Sequence, residues 1–151
     1  MSQLGPAVRR QSEVLQRVLA GEHAVVYGYG VAGARLSGAD RVRAEREWTA
    51  HRARRDRLEA QLTGRGVPPT PPAASYALPT RVATAEQART LVTLLEERLA
   101  AVWADAVAEL ADPADRELRR EAAGGLADAA VAASRWRGGS VPFPGLPERS
   151  G

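Results

Sequence analysis

The sequence predicts an all-α protein built as one four-helix bundle. Three observations carry this. Four segments repeat apolar residues at three-to-four spacing. Leucine, alanine and arginine, all good helix formers, dominate those segments, and proline is missing from their interiors. The connections between segments run short, long, short, which makes two helical hairpins joined by one crossover.

The first segment spans about residues 6–36, with Pro6 suited to a first helical turn. Its stripe is Leu15, Val18/Leu19, Glu22, Val25/Val26, Tyr29, Ala32/Gly33 and Leu36. It contains "VVYGYGVAGARL", in which Gly28, Gly30 and Gly33 match G-x-G-x-x-G. A dinucleotide-binding turn needs a strand before it and further parallel strands after it. Residues 84–137 contain no strand pattern, and positions 15, 22, 29 and 36 hold one helical face through the glycines. The expectation is a helix whose three glycines admit a close neighbour, either another helix or the ring of Trp48, Trp103 or Trp136. Each glycine costs about 1 kcal/mol relative to alanine in a helix interior.

The second segment spans about residues 40–62, with Asp40 as N-cap and Thr63-Gly64 as stop. Its stripe is Ala44, Trp48, His51, Arg55, Leu58 and Leu62. The third spans about residues 84–111 and opens with Thr84-x-x-Gln87, a capping box. Its stripe is Ala88, Val92, Leu95/Glu96, Leu99, Trp103, Ala106 and Leu110. The fourth spans about residues 113–137, with Asp112 as cap and Pro113 in the first position. Its stripe is Leu118, Ala122, Gly125/Leu126, Ala129, Ala133 and Trp136.

Between the second and third segments lie residues 63–82, with five prolines. An extended chain of this length reaches about 60 Å, whereas the helices beside it are about 33 Å long. The link can therefore run back along the bundle and start the third helix parallel to the second, the ferritin-like arrangement. The bundle is expected over residues 1–137, followed by a Pro/Gly tail over 138–151. Val141, Phe143 and Leu146 of the tail are expected to fold back onto the bundle.

Composition narrows the function classes. A chain of 151 residues with 44% hydrophobic content suits one packed domain. With no cysteine there is no disulfide framework and no thiolate metal site. No apolar stretch is long enough to span a membrane and the N-terminus lacks a signal-peptide core, so a cytoplasmic protein is expected. Lys, Ile and Asn are absent, which reads as a GC-rich coding bias rather than as chemistry. Residues 1–75 carry 12 arginines against seven acids and residues 76–151 carry nine against eleven. One fold can satisfy this split internally.

The candidates for chemistry are polar residues on the inward stripes. Glu22 falls on the apolar stripe of the first helix, where a carboxylate is costly unless paired or bound to a metal. His51 lies on the second stripe with Glu47 one turn before it, and Glu96 edges the third. Three of four helices thus aim a possible ligand inward.

The stretches "LAGEHAVVYGYGVAGARL", "HRARRDRL", "YALP" and "RWRGGSVPFPGLPER" resemble an actinobacterial ferritin-like domain of unknown function, across nearly the whole chain. The resemblance implies a ferritin-like bundle and a homodimer, and no established activity. Di-iron bundles use one Glu from each of two helices and Glu-x-x-His from each of the other two. Glu22 and Glu96 match the single glutamates and His51 the first histidine. Trp48 stands where the preceding Glu belongs, and the fourth helix has Glu121 and Asp128 but no histidine. The ligand set is degenerate.

Two readings of the centre follow. The favoured one is a buried polar network of Glu22, His51, Arg55 and Glu96 in a non-catalytic structural or interaction protein without a cofactor. The other is an iron or manganese site from Glu22, Glu47, His51 and Glu96, with oxidative chemistry possible. A third function class rests on Arg43, Arg46, Arg54 and Arg57 of the second helix, a stripe able to bind nucleic-acid phosphates. Interleaved Glu45, Glu47, Asp56 and Glu59 favour a salt-bridged face instead. The tyrosines read as packing residues, and the tryptophans as core or dimer-interface anchors. No nucleophile triad is present, so no catalytic residue is assigned.

Overall fold

A computed structural model describes residues 3–138. The tail expectation, with Val141, Phe143 and Leu146, lies outside the described residues. Four helices follow in order: α1 (Pro6–Gly33), α2 (Gly38–Gly64), α3 (Ala85–Glu109) and α4 (Arg116–Trp136). No strand occurs among the described residues.

α1 runs unbroken through Gly28 and Gly30, so the glycine motif is helical. The glycines differ in what they do. A Cβ at Gly28 would overlap Leu95 of α3, so this glycine lets α1 and α3 approach. Gly30 and Gly33 meet nothing within 4 Å, which corrects the expectation that all three make room for a neighbour. The ring that rests on a glycine is Trp103, seated on Gly125 of α4. α1 stops at Gly33 rather than Leu36, and Leu36 stays buried in the link.

α2 begins after Ser37, not at Asp40. Asp40 instead sits in the first turn, where a carboxylate suits the helix dipole, and bonds Arg89 at 3.2 Å. The helix ends at Gly64, within the expected Thr63-Gly64 stop, but the glycine that closes it is Gly66. Gly66 takes φ +74° and its N–H reaches the Thr63 carbonyl at 2.9 Å, while Val67 N–H reaches Leu62 at 3.0 Å. A left-handed glycine closing a helix this way is a Schellman ending.

The Pro-rich crossover lies along α1 in the direction of that helix. Gln16 donates to the Pro68 carbonyl at 2.8 Å and accepts from Thr70 N–H at 2.9 Å. His23 contacts the Thr70 carbonyl at 2.9 Å. Tyr27 then packs on Tyr76, with ring centroids 5.2 Å apart. Since α1 and α2 are antiparallel, the link returns the chain to the end where α2 began. α3 starts there, parallel to α2.

Thr84 caps α3 by accepting from Gln87 N–H at 3.1 Å. Gln87 reaches one residue further back, accepting from Ala83 N–H at 2.7 Å rather than from Thr84 N–H, so of the expected capping box the Thr84 half forms. A 3-10 turn over Pro113–Asp115 precedes α4, capped by Asp112, which accepts from Ala114 N–H at 2.8 Å. The expected first turn of the fourth helix is this tighter turn. It delivers Asp115, only 1% exposed, to Arg10 at 2.8 Å and Gln11 at 2.6 Å on α1.

α1 packs closely on α2 and on α3, and α3 on α4. α2 and α4 do not approach closely at the backbone. Long side chains bridge that seam, Arg54 to Asp128 at 2.6 Å and Gln61 to Glu121 at 2.8 Å. The core is a leucine column, with Leu19, Leu58, Leu62, Leu91 and Leu99 essentially inaccessible. Trp103 and Trp136 close it. Trp48 is only half-buried, with the Arg52 guanidinium 4.3 Å above its ring.

Candidate metal centre

Glu22 of α1 and Glu96 of α3 are fully buried, and His51 of α2 lies between them. His51 Nδ1 is 2.7 Å from Glu22 Oε2, and Nε2 is 2.8 Å from Glu96 Oε1. The same Glu96 oxygen accepts from the Tyr29 hydroxyl at 2.7 Å. Trp136 Nε1 donates to that hydroxyl at 2.8 Å. Four helices therefore meet in one chain of hydrogen bonds, Glu22–His51–Glu96–Tyr29–Trp136. Heptad spacing on α1 sets Glu22 and Tyr29 on one face. Close packing of α1 on both α2 and α3 then brings His51 and Glu96 to them.

Burial opposes a charged His51, and the hydrogen bonds to Glu22 and Glu96, with their charge, outweigh it, so its pKa is raised to about 10. The ring is thus held as imidazolium, donating from both nitrogens. Burial, then the charge on Glu96, pushes the Tyr29 hydroxyl well above its ordinary value, keeping it a neutral donor. Two carboxylate oxygens, Glu22 Oε1 and Glu96 Oε2, are buried without a partner among the described residues. Buried carboxylate oxygens normally find one.

Glu47 is half-buried, and it joins His51 and Glu96 in a group whose ligand atoms all lie within 4.8 Å of one another. Glu22 is outside that group and sits on Nδ1 of the histidine. Carboxylates in that position typically orient a metal-bound imidazole. The four residues singled out from sequence are therefore together, in two positions: Glu47, His51 and Glu96 as one cluster, Glu22 behind the ring.

Arg55 does not join them. It is half-buried and binds its neighbour Asp56 at 2.7 Å, which corrects the expected four-member network. Tyr29 takes its place in the chain of bonds, where packing alone was expected. Its stripe position beside Glu22 was visible, but its donor role depends on α3. The indole of Trp136 was expected only as an anchor. Asp115 and His23 were not anticipated as buried polar groups, since each needs a distant partner, Arg10 and Gln11 for one and the crossover for the other.

The helix 2 arginines separate. Arg43 donates to the Arg135 carbonyl at 3.4 Å and lies 5.3 Å from the Trp136 ring. Arg54 is engaged by Asp128 and lies 5.7 Å from the Trp103 ring. Arg46 and Arg57 are exposed. Half of the stripe thus serves the bundle itself. No helix among the described residues is long and apolar enough to cross a membrane.

A family described as "Domain of unknown function (DUF4439)" matches residues 14–148. Among solved structures, a conserved hypothetical protein, rv2844, from Mycobacterium tuberculosis is 32% identical with a TM-score of 0.78. That match covers 85% of this chain and 96% of the other. A structure described as ferritin-like, diiron-carboxylate proteins from Bacillus anthracis str. Ames matches with a TM-score of 0.72 at 17% identity. It covers 88% of this chain and 96% of that one, and at this identity it shows the fold alone. No curated protein matches the chain.

Proposed function

The chain belongs to the family described as a domain of unknown function (DUF4439), and within its ferritin-like bundle we propose a mononuclear metal site formed by Glu47, His51 and Glu96. The observation that carries this reading is the cluster itself, three ligand atoms within 4.8 Å, with Glu96 Oε2 buried and unpartnered. A dinuclear centre does not fit these residues. His51 is the one histidine at the centre, and α4 brings no second histidine: its carboxylate in the groove beside His51, Asp128, is held by Arg54 at 2.6 Å.

A one-His, two-carboxylate set suits iron or manganese, which would supply one-electron or Lewis-acid chemistry when bound. The protein's own contribution is positioning. Glu22 keeps the Nδ1 proton and so presents Nε2 as the ligand nitrogen. Tyr29 holds Glu96 Oε1, and Trp136 holds Tyr29. A metal held by Nε2 would take the place of the proton there, so its affinity would depend on pH.

The test is elemental analysis of protein grown with iron and manganese, beside a His51→Ala variant. Near-stoichiometric metal, lost in the variant, is expected. A folded, metal-free wild type overturns the reading.

The second reading is a structural or interaction protein, a homodimer with a degenerate site and no catalysis. Its support is that His51 already satisfies both ring nitrogens on Glu22 and Glu96. Such a network fixes helix register. The nucleic-acid reading retains exposed Arg46 and Arg57, and absence of DNA or RNA affinity at low salt removes it. The extent of the bundle to residue 137, with a separate tail, stands as part of the same proposal.

A further inference from the structure

The seam between α2 and α4 holds a groove of about 430 Å³ that reaches the proposed metal site. Its size falls within the range of small-molecule pockets. Glu47 and His51 line it, so an occupant meets two of the three proposed ligands. The walls are Ala50, Ala53, Ala127, Val131 and Ala132, all small or apolar. Arg54, Arg57 and Arg135 edge it against the carboxylates of Glu47 and Asp128. On the α4 side the groove is lined by Ala127, Val131 and Ala132, small side chains that leave the space unfilled. The two helices stay apart and the space between them opens to solvent.

We propose that this groove binds a small aliphatic carboxylate, its head group on Arg57 and its chain lying along the alanine walls toward His51. The proposal rests on the metal-site reading for its consequence, delivery of a substrate-class anion to the site, but not for the binding itself. Three features select this ligand. Arg57 is exposed on the groove edge with no carboxylate partner among the described residues, and a guanidinium pairs a carboxylate with two parallel bonds. Arg54, one turn earlier on the same face, adds positive charge although Asp128 holds it. From Arg57 to His51 is six residues of helix, about 9 Å, the reach of a medium-length acyl chain. The walls offer that chain no hydrogen-bonding side chain. A nucleic-acid backbone fits less well, because the walls between Arg57 and His51 are alanine and valine and the carboxylates of Glu47 and Asp128 repel phosphate.

The experiment titrates the metal-free, full-length protein with hexanoate and follows the Val131 methyls and the His51 ring by NMR, with manganese affinity measured separately. Saturable shifts at both positions are expected. Hexanamide, the neutral counterpart, should bind at least about tenfold more weakly, a difference of about 1.4 kcal/mol. Arg57→Ala should weaken hexanoate by a similar factor and leave manganese affinity unchanged. Val131→Phe, on an exposed position, should block the groove without disturbing the core. Absent or non-saturable shifts overturn the proposal. So does equal binding of hexanamide, or an Arg57→Ala variant that binds as well as wild type. Tighter binding of single-stranded DNA, with a steep salt dependence, also overturns it. If manganese binds and hexanoate does not, this inference fails alone. If hexanoate binds a protein that takes no manganese, the metal reading fails and the anion site stands.

Discussion

Glu22 and His51, on α1 and α2, share a 2.7 Å hydrogen bond through the Nδ1 face of the ring. This one contact fixes the orientation of the histidine and directs Nε2 toward Glu96. It also joins two helices at a point where the carboxylate is closed to water and only an edge of the imidazole reaches the groove. Removing the acceptor leaves a buried charged ring half-satisfied. Glu22→Ala is expected to destabilise the fold by about 2–4 kcal/mol. Urea denaturation measures this, and an unchanged midpoint would remove the buried network as a structural element.

Metal binding should depend on pH in a defined direction. His51 carries a raised pKa of about 10, so at neutral pH the metal must displace a proton from the ring. Affinity for manganese is therefore expected to rise with pH, by up to about tenfold per unit between pH 6 and 8. Electron paramagnetic resonance of free manganese reads this directly. A flat profile would mean that His51 is not a ligand. In the metal-free protein the sign is reversed for stability. The raised pKa stabilises fully below the unfolded value near 6.5, and that contribution fades as pH rises toward 10.

Asp115 behaves oppositely. The hydrogen bond from Gln11 outweighs burial and, with that from Arg10 and its charge, holds the carboxyl below its usual range. A depressed pKa contributes stability above the unfolded value, and the contribution is lost as pH falls through the folded one. The stability gap between wild type and Asp115→Asn should be full at pH 6 and shrink below about pH 4. A gap that stays constant to pH 3 would show that the charge plays no part.

Two glycines give a paired test of packing. A Cβ at Gly125 would overlap the Trp103 indole, so Gly125→Ala should cost about 1–3 kcal/mol. Gly30 has nothing within 4 Å, so Gly30→Ala should gain up to about 1 kcal/mol from helix propensity. Thermal unfolding of both variants distinguishes a tight position from a permissive one. Equal effects would contradict the seating of Trp103.

The sequence by itself determined the four helices, their hairpins and the direction of the crossover. It also marked Glu22, Glu47, His51 and Glu96. The reason is that periodicity, caps and link lengths are local properties. A carboxylate or imidazole on an apolar stripe declares its inward aim from one helix alone. The tertiary structure decided which of these meet. Glu22 lies behind the ring while Glu47 and Glu96 cluster with it, an arrangement set by the relative rotation of α1, α2 and α3. Arg55 left the network because a partner one residue away, Asp56, was available at the surface. Tyr29 entered it because α3 places Glu96 within reach. Whether Gly28 or Gly30 mattered for packing also depended on a neighbouring helix, since only one of them faces Leu95. Distances between helices are set by the summed packing of side chains far apart in the chain, and no single stripe encodes them.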